Sequence, residues 1–65
     1  MRVTVNGQAR EVAEGASILD LLRDSNLSPE KVAVELNRRL VRTPEYARAV
    51  AEGDVVELVT FVGGG

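Results

Sequence analysis

The run Gly63-Gly64-Gly65, the last residues of this sequence, is the place where chemistry is most readily written. A phosphate-cradling glycine loop leads into a helix and usually a lysine, and neither follows here. What the run offers is an α-carboxylate on a residue without a Cβ. Glycines let a backbone thread a narrow channel that any side chain would block. A carboxylate resists substitution until one of its oxygens becomes a leaving group. Adenylation by ATP supplies that group, and a sulfur or nitrogen nucleophile can then attack an unhindered carbonyl. The plainer reading of the same run is a frayed end.

Other chemistry is thinly represented. The chain has no cysteine and no histidine, which excludes disulfides, thiol nucleophiles, Cys/His zinc sites and imidazole acid–base work. Glu11/Glu14, Asp20/Asp24 and Glu52/Asp54 are carboxylate pairs by spacing, but each falls on a turn or on the polar side of an element. Acid–base work needs burial or crowding to raise a pKa, so these read as solvated. No metal site is expected. Arg38, Arg39 and Arg42 could grip a phosphate or a partner's carboxylates, or simply line a wet loop. A net charge of −2 argues against nucleic acid and favours an acidic protein partner. No stretch approaches the roughly 20 apolar residues of a membrane span. A cytoplasmic location, and a monomer when free, are the expectations.

The elements that must position the tail are legible in the periodicity. Sixty-five residues with 45 % hydrophobic and 28 % charged content make one small globular domain with a thin core. Met1, Val3 and Val5 alternate with polar residues, Asn6-Gly7 signals a hairpin turn, and Gln8 to Val12 returns as a second strand. Ser17 reads as a helix cap, and Ile18, Leu21 and Leu22 make an apolar stripe fading near Asn26. Pro29 opens a short turn of helix. Val32, Val34 and Leu36 alternate as a third strand. Arg38-Arg39 then reads as a tight connection to a short fourth strand at Leu40-Val41. Thr43-Pro44 caps a helical turn through Ala49, and Val55 to Val62 is the last strand.

The order is ββαββ(short helix)β, an α+β roll of about five strands in a mixed sheet around one main helix. That is the β-grasp, with the domain at residues 1–62 and a flexible tail at 63–65. The core expected from inward positions is Val3, Val5, Ile18, Leu21, Leu22, Val34, Leu36, Leu40, Val56 and Leu58. With Val56 and Leu58 inward, Val59 and Phe61 fall on the other sheet face near the tail and form a candidate docking patch.

Asn6-Gly7, the segment Val32-Ala33-Val34-Glu35-Leu36-Asn37 and the last thirteen residues from Gly53 resemble the ThiS-type sulfur carriers of thiamine biosynthesis, a ubiquitin-like β-grasp family. The resemblance runs nearly end to end. The family often has proline directly after the valine matching Val41, whereas Arg42 and Thr43 precede Pro44 here. The resemblance implies a carried substrate and not an enzyme. The Gly65 carboxylate would be adenylated by an E1-like, ThiF-type partner that binds ATP and magnesium, with no cofactor held by the chain itself. Sulfur supplied through a cysteine desulfurase would give a thiocarboxylate. A ThiG-type thiazole synthase would take that sulfur for the thiamine thiazole. Gly63 and Gly64 would thread the partner's channel, and Val59, Phe61 and Val62 would meet its surface. The molybdopterin-synthase small subunit, another sulfur carrier or protein modifier, and an unmodified β-grasp interaction module are the alternatives.

Overall fold

Two asparagines decide where the chain reverses. Asn6 and Asn37 sit at φ 49° and 53°, the left-handed region that asparagine tolerates better than most residues. Each is followed by another positive φ, Gly7 at 82° and Arg38 at 71°, the pattern of a type I′ hairpin turn. The computed structural model describes residues 1–61. Val62, Gly63, Gly64 and Gly65 lie outside the described residues, and with them the expected flexibility of the tail and its boundary at 62/63.

Strands β1 (Arg2–Val5) and β2 (Gln8–Glu11) flank the first turn, and β3 (Val32–Leu36) and β4 (Arg39–Val41) flank the second. Between the hairpins runs the helix α1 (Ile18–Asp24), with a 3-10 turn at Pro29–Lys31 behind it. A longer 3-10 turn, Thr43–Ala47, leads towards β5 (Val55–Thr60). The sheet order is β2-β1-β5-β3-β4. The last strand enters the middle, parallel to β1 and antiparallel to β3. This is the β-grasp arrangement that the sequence pattern predicts.

The helix begins where it does because Ser17 and Asp20 satisfy each other. The Ser17 N–H donates to Asp20 Oδ2 at 2.8 Å, and the Asp20 N–H donates to Ser17 Oγ at 3.2 Å. Two helix-end donors are thereby paired, as in any capping box. Ile18, Leu21 and Leu22 lie buried on one stripe against Val3, Val5, Val34, Val56 and Leu58 of the sheet.

Leu40 is a correction. It is 70 % exposed. The β3–β4 register places Leu40 opposite outward Glu35, and Val41 opposite buried Val34. Residues facing each other across a ladder share a sheet side, so the inward place belongs to Val41. Leu36 is only half-buried, while Val32, Tyr46 and Val50 join the core. Other boundaries move slightly. The second turn is Asn37-Arg38, with Arg39 already in β4. The residue before the second 3-10 turn is Arg42, not Thr43, and its N–H donates to Glu45 Oε1 at 3.2 Å. That segment stays 3-10 and ends at Ala47. Strand β2 ends at Glu11.

Asn6 does more than turn the chain. Its Oδ1 accepts the Leu58 N–H at 2.7 Å, its Nδ2 donates to the Leu58 carbonyl at 3.2 Å, and its own N–H donates to the Val56 carbonyl at 2.9 Å. Asn37 mirrors it at the other side of β5. Its Oδ1 accepts the Val55 N–H at 2.9 Å and its Nδ2 donates to Asp54 Oδ1 at 3.0 Å. Replacing Asn6 by alanine orphans the half-buried Leu58 amide and puts a Cβ residue without side-chain hydrogen bonds at positive φ. The expected cost is about 1–3 kcal/mol, which for a domain of this size lowers Tm by roughly 4–8 °C per kcal/mol. Thermal melting of N6A indistinguishable from the parent would contradict this role.

Candidate functional site

Strand β5 is the element that delivers the tail, and it is fixed from both flanks. Beyond its last residue, the Phe61 N–H still donates to the Lys31 carbonyl at 3.0 Å. The described chain therefore remains tied to the sheet up to Phe61, and Val62-Gly63-Gly64-Gly65 follow in sequence. Phe61, though its backbone is bonded to Lys31, has its side chain in solvent.

Alternation along β5 gives the two sheet faces. Val56 and Leu58 point to the helix and are buried, whereas Val55, Val59 and Phe61 are 41 %, 56 % and 58 % exposed. Val59 lies opposite Ala33, and Glu57 lies opposite Glu35 with Leu40 as the next neighbour on β4. The outer face is thus an apolar strip carrying two like-charged carboxylates in facing positions, an arrangement that repels within the chain. Sequence reasoning located Val59 and Phe61. It missed Leu40 as a member of the same face. The register of β4 carries the signal for Leu40, since a two-residue turn after an inward Leu36 sends Leu40 outward.

The remaining candidates resolve into structural roles. Glu11 pairs with Arg2 Nε at 3.2 Å on the exposed sheet edge. Glu52 Oε1 accepts the Arg2 N–H at 2.9 Å, and Asp54 Oδ2 accepts the Ala51 N–H at 2.7 Å. Asp20 is held below the usual aspartate range by hydrogen bonds from the Ser17 backbone and hydroxyl, with Arg23 a smaller contributor. None of these carboxylates is buried or crowded enough to work as a general acid. Among the described residues no group of three or more acidic side chains is arranged to hold a metal ion. No described helix is long and apolar enough to cross a membrane.

Arg38 lies in the turn between β3 and β4, Arg39 opens β4, and Arg42 follows the other end of that short strand, before the 3-10 turn. Among the described residues none of the three has a carboxylate within 4.0 Å, while Arg48, on the far side of the 3-10 turn, reaches Glu45 at 3.5 Å.

The tail, its carrying strand and the fold around them have known counterparts. Residues 3–65 match the ThiS family. This chain belongs to the ThiS family. The thiamine biosynthesis protein ThiS of Geobacter metallireducens has a crystal structure that superposes on this ThiS-family chain with a TM-score of 0.77 at 39 % identity, covering all of both chains. A solution structure of a thiamine biosynthesis protein from the same organism gives a TM-score of 0.79 at 38 % identity over all of this chain and 88 % of that one. A thiazole synthase of Paramagnetospirillum magneticum is 38 % identical over 66 residues. That match takes in the whole of this ThiS-family chain but only 20 % of the thiazole synthase.

Proposed function

We propose that this ThiS-family chain is a sulfur carrier whose Gly65 carboxylate is adenylated and then converted to a thiocarboxylate. The observation that carries the reading is the Gly63-Gly64-Gly65 run, separated from β5 by only Phe61 and Val62 in sequence, in a family match that extends through Gly65. In the first step a carboxylate oxygen attacks the α-phosphorus of ATP and pyrophosphate leaves. In the second the terminal sulfur of a persulfide attacks the acyl-adenylate carbonyl and AMP leaves. A thiol then cleaves the S–S bond of the acyl disulfide, forming a disulfide with the former persulfide carrier and leaving the thiocarboxylate, so that sulfur replaces one oxygen. An E1-like enzyme holds ATP and magnesium and performs the activation. A cysteine desulfurase is the source of the sulfur.

A ThiG-type thiazole synthase is the acceptor. Its support is the stretch similar to this chain that occurs within proteins named thiazole synthase. The chain's own part is positional. A central strand, held by Asn6 and Asn37, carries the chain to Phe61, from which the glycines follow in sequence, and the outer face of that strand is the surface that partners meet.

Two measurements test this. Pyrophosphate exchange into ATP by an E1-like enzyme should depend on the presence of this chain, and no dependence with any such enzyme would remove the adenylation step. Phe61→Ala should leave the fold intact, because the ring is in solvent, yet weaken binding to the activating enzyme or to thiazole synthase by about tenfold, the loss of one aromatic anchor. Unchanged affinity for both partners would remove Phe61 from the interface.

A further inference from the structure

The tail chemistry leaves the arginine corner unused. Residues 38–48 hold Arg38, Arg39, Arg42 and Arg48 against one acid, Glu45, a net of +3. The whole chain is −2, so the remainder carries −5. Positive charge is therefore gathered in one stretch of an otherwise acidic chain, and two of its arginines, Arg39 and Arg48, line one cleft. A cleft of about 340 Å³ opens between β4 and the 3-10 segment, with Ile18 and Leu36 in its wall, Arg39 and Leu40 around it, and Arg48 beside it paired with Glu45 at 3.5 Å, which leaves Arg39 as its cation without a carboxylate partner among the described residues. Ile18 and Val50 are buried in the core, so the apolar surface open at the cleft is that of exposed Leu40 at the rim with half-buried Leu36 beside it. A third observation is independent of both. Arg38 occupies the second place of a type I′ turn at φ 71°, where glycine is favoured and a long side chain is strained. Strain kept at one residue is a reason to look for its use.

We propose that this corner is a second docking surface, one that takes an acidic protein segment bearing an apolar side chain. Carboxylates of that segment pair with the arginine forks, and the apolar side chain enters the cleft beside Leu40. The corner flanks the start of β5, where the Asn37 N–H donates to the Val55 carbonyl at 2.7 Å. The tail leaves from the other end of that six-residue strand, about 20 Å away. A partner using both ends spans the whole strand, and the corner contributes binding that is the same before and during reaction. Such binding changes KM and the association rate and leaves kcat alone.

The test needs no enzyme, so its outcome is separate from that of the sulfur-carrier reading. A blocked peptide of glutamates and aspartates around a single leucine is titrated into the isotopically labelled chain and followed by amide chemical shifts. Saturable shifts at Leu36, Leu40, Ala49 and Val50 are expected, weakening as salt rises. Changing the peptide's leucine to serine should reduce affinity. The double variant Arg39→Ser/Arg48→Ser should raise Kd about tenfold or more, as loss of charge-assisted contacts does. Shifts confined to other surfaces, shifts unchanged in the double variant, or a preference for a single-stranded oligonucleotide over the peptide would each overturn the proposal. The titration of the unaltered chain decides the question even if the double variant does not fold.

Discussion

Deleting Gly65 is expected to cut thiocarboxylate formation by about 100-fold or more while leaving the fold unchanged. The shortened chain still ends in two glycines, so its terminal carboxylate is chemically the same. Its position is not. Phe61 is the last described residue tied to the sheet, by its bond to Lys31, and reach beyond it is set by the residues that remain. Removing one withdraws the carboxylate by up to ~3.3–3.6 Å along an extended backbone. Misplacing reacting atoms by about 1 Å can cost ~100-fold in rate. Gly64→Val separates the other requirement, because it keeps the reach and adds a branched side chain inside the partner's channel. Sulfur loading should fall strongly there too, with circular dichroism and melting unchanged. If the deleted chain loads at the parental rate, reach is not what the tail supplies.

Leu21→Ala should destabilise the domain by about 2–5 kcal/mol. Leu21 is among the most completely buried side chains, at 1 % exposure, on the helix stripe that packs against the sheet. Truncation loses the transfer free energy of the removed methyl and methine groups and leaves a cavity that a small, singly layered core cannot refill. A loss of that size is a large share of the stability expected for any small domain. Denaturant melts read by circular dichroism should show a lower midpoint with an unchanged slope. A midpoint equal to the parent's would mean that the helix stripe does not carry the core.

The strands and the helix were legible because their residues obey simple periods. Val3/Val5, Val34 and Val56/Leu58 alternate, and Ile18, Leu21 and Leu22 follow the helical spacing. Val32 is in phase with Val34 and belonged in the same set. Leu40 misled because hydrophobicity favours it for the core, whereas pairing with Glu35 fixes its side. Tyr46 and Val50 were hidden for a different reason. They sit in or beside a 3-10 segment with no period of its own, and tertiary bonds bring them into the core, among them the Val50 N–H to the Ala16 carbonyl at 2.8 Å. The grip of Asn6 and Asn37 on β5 is equally non-local, since each spans a sequence separation that a turn motif does not encode. The candidate docking face was half legible. Alternation along one strand placed Val59 and Phe61 outward, but adding Leu40 required the register of its neighbour. The cleft beside the arginines depends on how the 3-10 turn lies over the start of α1, and no spacing rule gives that.

The central claim concerns one atom of one residue, an oxygen of the Gly65 carboxylate. Its most direct test is the intact mass of the chain after incubation with ATP, magnesium, a ThiF-type enzyme and a sulfur donor, compared with the same chain amidated at Gly65. Amidation keeps the reach and the glycines and removes the nucleophilic oxygen. The account predicts a mass gain equal to one oxygen replaced by sulfur, located on the fragment containing Gly65, and no gain in the amidated chain. Sulfur loading of the amidated chain, or a modified fragment that lacks Gly65, would contradict it.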